Sequence, residues 1–341
     1  MGTVISKGWT IKPPFQPVYL FYGTQSFLIK RLRKSIADQA VDPADRDFNL
    51  SVYDLTETPI EVAIEDAMTL PFLGENRVIV LENPIFLTGD TKKTKVEHNL
   101  DVFSEYIENP SPSTILIVEA PYEKLDKRKK VVKLLESKGV VLELNQVGEK
   151  ELYDLLKSEA AQFQAVYTEA AHERLMALVG FHVAQLINEV QKLSLYVGED
   201  GEIDTAAVDL LATRSIESNV FDMVDLIMRG KGAEAIQLLE ELFKQKEEPI
   251  RLLALIMRQI RILLQTILLT KEGYSQKQIA SRLKLHPYAV KIANEQGRRF
   301  DIGQLKRALV WCSDTDYAMK TGQEEKQLSL QLLIHRISTI N

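Results

Sequence analysis

Apolar residues in the first 145 positions follow two alternating periods. Val18-Tyr19-Leu20-Phe21-Tyr22, Thr114-Ile115-Leu116-Ile117-Val118 and Val140-Val141-Leu142-Glu143-Leu144 are short runs rich in β-branched, aromatic and leucine side chains, and 48–53 and 78–81 join them as predicted strands. Between these runs, 27–40, 59–68, 96–108 and 127–137 carry apolar residues three and four apart, the spacing of amphipathic helices. Strands separated by helices need crossover connections, so the pattern predicts a parallel sheet covered on both faces. Residues up to about 145 are therefore expected to form an α/β domain.

Beyond that point the strand pattern stops. Segments 149–164, 168–179 and 184–196 read as helices, with Val166-Tyr167-Thr168 and Gly180-Phe181-His182 as joints. A turn-rich break follows at 198–201, then a short helix over 204–212. From Asn219 onward every segment is helical: 220–228, 233–244, 249–269, 276–283, 288–295, 302–319 and 326–340, punctuated by Gly230, Gly232, Gly273, Gly297 and Gly322. The expected fold class is α/β followed by all-α.

One connection departs from the polar composition usual in loops. Thr69-Leu70-Pro71-Phe72-Leu73-Gly74 sets three large apolar side chains between the helix 59–68 and a buried strand starting at Arg77. Thr58 is the expected helix cap and Pro59 lies in the first turn, while Ile60, Ala63, Ile64 and Ala67 keep helical spacing. Pro71 is expected to end the helix and Gly74 to permit a reversal. Leu70, Phe72 and Leu73 then form a small plug that either meets a partner or packs back onto its own domain.

Composition narrows the class. The chain has 341 residues, room for two or three domains at ~100–200 residues each, and its 45% hydrophobic and 26% charged content is that expected of an ordinary soluble globular protein. A single cysteine, Cys312, excludes an internal disulfide or a cysteine zinc cluster and suits a reducing compartment. No secretory signal is evident, Met1-Gly2 with Ser6 fits only the loose myristoylation pattern, and the apolar stretch from Leu252 to Leu269 is interrupted by Arg258, Gln259 and Arg261. No membrane association is expected, and the cytoplasm is the expected location. The net charge of −6 hides an asymmetry: positions 251–307 carry twelve Lys and Arg against three acids, which leaves that segment at +9 and the remainder at −15. Such a segment either meets phosphate or is a solvated helical face whose counter-charges come from another subunit.

A parallel α/β domain that begins strand, glycine, helix invites a search for a phosphate loop. With Gly23 as its first glycine, the positions needing a second glycine, a lysine and a hydroxyl hold Leu28, Ile29 and Lys30. Glu82-Asn83 ends the third strand where a working site would usually offer an acidic pair, so Glu82 reads as structural or solvated, and Ser26 reads as a cap of the following helix. A nucleotide-binding architecture without nucleotide chemistry is the expectation. The five histidines show no helical pair at metal-ligand spacing, Cys312 beside Trp311 reads as a core thiol, and Asp314 and Asp316 fall on different faces of a helix. No catalytic residue, cofactor or metal is expected. Residues 274–290 have the spacing of a helix-turn-helix, in which Tyr288 and Lys291 would stack on a base and meet a phosphate; ordinary packing or non-specific phosphate contact is the alternative.

Taken together, Tyr22-Gly23-Thr24-Gln25-Ser26-Phe27-Leu28, Thr69-Leu70-Pro71-Phe72-Leu73 with Arg77-Val78-Ile79-Val80-Leu81-Glu82-Asn83, Asn219-Val220-Phe221-Asp222 and His286-Pro287-Tyr288-Ala289-Val290-Lys291 make nearly the whole chain resemble the delta subunit of bacterial DNA polymerase III, the wrench of the sliding-clamp loader. The Pro-Phe-Leu turn and the HPY segment look like Gram-positive forms; some relatives place Leu-Phe in the turn. The resemblance implies an AAA+-like α/β domain without a working ATP site over 1–145, a small helical lid over 146–213 and a helical collar over 214–341. It implies that the collar joins tau/gamma motor subunits and a delta-prime subunit in a ring, and that the beta sliding clamp is bound through Met68, Leu70, Pro71, Phe72 and Leu73. Family members hold one clamp interface open while the motor subunits hydrolyse ATP. Tyr288 and Lys291 are the expected contacts to primer-template DNA. The alternative is a helix-turn-helix DNA-binding regulator.

Overall fold

The computed structural model describes residues 9–90, 95–145 and 147–339. The Met1-Gly2 and Ser6 pattern and Ile340, the expected end of the last helix, lie outside them. Contacts divide the chain into two compact units, Met1–Ser158 and Glu159–Asn341.

The first unit runs β1 (Val18–Tyr22), α1 (Ser26–Ala40), α2 (Arg46–Asn49), β2 (Leu50–Asp54), α3 (Ile60–Ala67), β3 (Arg77–Glu82), α4 (Leu100–Glu108), β4 (Thr114–Ala120), α5 (Lys130–Lys138) and β5 (Val140–Glu143). Its five strands are all parallel in the order β2-β3-β4-β1-β5, with Val18 opposite Leu116, Tyr19 opposite Val140 and Arg77 opposite Thr114. Alternate side chains of each strand face opposite ways, which gives the sheet two cores. On one face Leu20, Ile79, Leu116 and Val118 pack with Ile60, Ile64, Phe103 and Leu135 from α3, α4 and α5. On the other, Tyr19, Phe21, Val80 and Ile117 pack with Ile29, Leu32 and Ile36 of α1.

Several boundaries differ from expectation, each for a local reason. The strand predicted over 48–53 is a single helical turn, α2, followed by β2. A short apolar run cannot distinguish the two periods, and Asn49 is buried because its amide binds elsewhere in the unit. Helix α4 starts at Leu100 because Asn99 accepts the amides of Asp101 and Val102 and caps it there. Ser26 is the first residue of α1 and makes no cap; Gln25 precedes it without a side-chain cap bond. Pro59, not Thr58, occupies the cap position of α3, and the Ile60 amide is met by His98 Nδ1 at 3.2 Å. Pro71 does not end α3, which stops at Ala67 with Met68 as its cap residue.

Helix α6 (Glu149–Ala161) contains the division between the units, so the contact boundary falls at 158/159, within the stretch expected as the lid, and the rest of that stretch shares the second unit with the expected collar. That unit continues with β6 (Val166–Tyr167), α7 (Glu169–Val179), α8 (Val183–Val197), β7 (Glu202–Ile203) and α9 (Thr205–Leu211). Strands β6 and β7 pair in parallel, and two residues each are too few to establish a period in the sequence. Helices α10 (Ile216–Met228), α11 (Gly232–Lys244), α12 (Pro249–Lys271), α13 (Gln276–Leu283), α14 (Pro287–Gly297), α15 (Ile302–Lys320) and α16 (Lys326–Ser338) follow. Helix α12 is long and apolar enough to cross a membrane by length and composition. Its Leu252, Leu253, Ile256, Ile260 and Leu263 instead form the centre of the helical core, while Arg258 and Arg261 are exposed.

Candidate functional site

The turn between α3 and β3 presents its apolar side chains outward. Leu70 is 82% exposed, Met68 68%, Leu73 67% and Phe72 55%. Of the two dispositions open from sequence, the plug packed back into its own domain is thus not the one adopted.

The backbone beneath these side chains is anchored. Asn49, at the end of α2 and fully buried, donates Nδ2 to the carbonyls of Phe72 (2.7 Å) and Leu73 (2.9 Å), while its Oδ1 accepts the Phe72 amide at 2.7 Å. Neighbouring Phe48 lays its ring against Phe72, centroids 4.9 Å apart. At the base of the turn Asp66 pairs with Arg77, accepts the Tyr53 hydroxyl at 2.9 Å, and accepts Thr69 Oγ1 on its carbonyl at 2.7 Å. Arg77 Nη1 donates to the Phe48 carbonyl at 2.9 Å, so one guanidinium ties α2 and α3 to the start of β3. The reversal itself uses left-handed backbone at Leu73 (φ 52°) and Gly74 (φ 79°). Phe48 and Asn49 carry no individual signal in the sequence beyond a strand-like run, 48–53, in which Asn49 and Ser51 alternate with apolar residues.

The position of a phosphate loop is occupied by protein. The Gly23 amide donates to the Ala120 carbonyl (3.1 Å), the Gln25 amide to the Leu144 carbonyl (3.0 Å) and the Thr24 amide to Asn145 Oδ1 (3.2 Å). Amides that would have to point at phosphate are committed to the ends of β4 and β5. Leu28 and Ile29 are both buried. Glu82 accepts Arg33 Nη1 at 2.6 Å, the structural role expected of it, and Arg33 Nε also lies 3.4 Å from Glu119. Burial pushes the Glu119 carboxyl up to about 7; Arg33 opposes that shift and Glu82 adds to it.

In the second unit α13 and α14 form the expected helix pair, with a capping box between Ser275 and Gln278. On α14 Lys291 is exposed and Tyr288 half-buried, the Tyr288 amide donating to His286 Nδ1 at 3.2 Å. The His286 ring stacks on Phe181 at a centroid distance of 3.4 Å. Cys312 lies in the helical core, where burial pushes its thiol up to about 12, so it is a packing residue with no nucleophilic character.

Two family models match this chain: DNA polymerase III, delta subunit, over residues 19–145, and DNA polymerase III delta subunit, C-terminal domain, over 217–337. DNA polymerase III subunit delta of Bacillus subtilis is 42% identical over 323 residues, covering 95% of this chain and 93% of that protein. This chain belongs to the DNA polymerase III delta subunit family. A second relative, the probable DNA polymerase III subunit delta of Aquifex aeolicus, is 21% identical over 73% of this chain and 70% of its own length. Among solved structures, the Bacillus subtilis DNA clamp loader delta protein superposes with a TM-score of 0.73 at 41% identity, covering 95% of each chain. Membership of the delta family over almost the whole length leaves the helix-turn-helix regulator without support. It also makes the chain a replication protein, a subunit of the polymerase III assembly.

Proposed function

We propose that this chain binds the beta sliding clamp through Met68, Leu70, Pro71, Phe72 and Leu73 and holds its ring open for loading onto primed DNA, without hydrolysing ATP itself. The observation that carries this reading is the outward display of Leu70, Phe72 and Leu73 on a backbone fixed by Asn49 and Asp66. An apolar wedge on a rigid support suits a hydrophobic pocket, because little conformational freedom is lost when it docks. It can favour an open ring only by binding the open state more tightly than the closed one. The committed amides at Gly23, Thr24 and Gln25 support a non-catalytic role in which tau/gamma motor subunits supply ATP hydrolysis.

In this reading 1–145 is the clamp-binding domain, 146–213 a lid, and 214–341 a collar that joins the motor and delta-prime subunits. Primer-template DNA meets the basic stretch around Tyr288 and Lys291, so contact there weakens steeply with salt. The protein then works at the replisome, in the bacterial cytoplasm. Gel filtration of the purified chain with purified beta clamp tests the proposal: the two are expected to co-elute at micromolar concentration with no nucleotide present. Separate elution under those conditions, or co-elution that needs ATP bound to this chain, would contradict it.

A further inference from the structure

We propose that Asn49 is the positioning residue of the wedge: its side chain holds the turn in its clamp-ready shape before the clamp arrives. This deepens the proposed clamp-binding role and rests on it. Among the described residues, no other side chain hydrogen-bonds the backbone of 70–75, whereas Asn49 bonds it three times, as donor to the Phe72 and Leu73 carbonyls and acceptor from the Phe72 amide. The asparagine amide is the side chain suited to this, since it offers two donors and an acceptor on one planar group. Its reach also explains why a polar residue is fully buried at the junction of α2 and β2.

Without that anchor the turn would retain its side chains but lose its shape. The freed carbonyls and amide lie on a surface turn, where water replaces the lost partner, so removal of Asn49 loosens the turn without dismantling the core. A loosened turn must be ordered when it binds, which lowers affinity even though each contact side chain is intact. Phe48 backs the Phe72 ring from the same helix, which places both supports of the wedge on α2.

The test uses the full-length chain. In wild type, amide exchange followed by NMR should show Phe72 protected well beyond Leu70, because only the former donates to Asn49. Two variants, Asn49→Ala and Asn49→Leu, remove the hydrogen bonds with and without removing side-chain volume. Both are expected to accelerate Phe72 exchange and to raise the Kd for the beta clamp by about tenfold, with thermal melting little changed. Unprotected Phe72 in wild type, or a clamp Kd unchanged in both variants, would overturn the assignment. Failure of the wild-type chain to bind the clamp would instead overturn the clamp-binding role, and Phe72 protection would still read the anchor.

Discussion

Replacing Leu28 with glycine and Ile29 with lysine, two of the three changes that would rebuild a phosphate loop on Gly23, is expected to unfold the first unit and create no nucleotide site. Leu28 is fully buried, and truncating a buried leucine costs about 2–5 kcal/mol, to which glycine in a helix adds about 1. Ile29 packs with Tyr19, Leu32, Ile36 and Val80, so a lysine there must place an unpaired ammonium in an apolar layer, at a further cost of several kcal/mol. The sum approaches the whole stability of a typical domain, about 5–15 kcal/mol. Denaturant titration of the double variant should show the first transition lost or shifted to very low denaturant. Wild type should show no magnesium-dependent ATP affinity tighter than millimolar. A folded variant binding Mg-ATP at micromolar concentration would refute the view that the cradle has been converted into core.

Gly23→Ala is expected to be strongly destabilising in the same region, despite adding only one methyl group. Gly23 has φ 139°, which L side chains rarely adopt, and a Cβ there would stand 2.3 Å from the Leu144 carbonyl carbon and 2.4 Å from its oxygen. Neither contact can be relieved by a side-chain rotation, because both atoms are backbone of the residue that follows β5. A loss of about 3 kcal/mol or more follows from combining a forbidden backbone angle with a steric clash. Equilibrium denaturation should register it in the first unit, and a loss below about 0.5 kcal/mol, typical of a neutral surface change, would mean that the Gly23–Leu144 approach is not structurally required. The glycine of a would-be nucleotide loop is thus explained by close packing against β5.

The chain's α/β and all-α regions were legible because most elements are long enough to show a period: α1, α12 and α15, and the apolar runs of β1, β3 and β4. Legibility failed where structure is made by single side chains. Asn99 moved the start of α4, and β6 and β7 are too short to carry a pattern. At the candidate site the sequence displayed the apolar residues of the turn but not their disposition, since exposure depends on what lies behind them. That support comes from Asn49, more than twenty residues upstream, and only the fold brings it to Phe72. The absence of a phosphate loop could be read from Leu28 and Ile29, but the capture of the Gly23, Thr24 and Gln25 amides by β4 and β5 could not, because it depends on strand order.

The most direct measurement is calorimetric titration of the beta clamp with the wild-type chain and with Leu70→Ser/Phe72→Ser/Leu73→Ser. All three residues are exposed, so the triple variant should fold and melt like wild type. Loss of three apolar anchors, each contributing about 1–2 kcal/mol or more in a hot spot, is expected to abolish detectable binding. Clamp affinity equal to that of wild type in a correctly folded triple variant would contradict the role assigned to this turn.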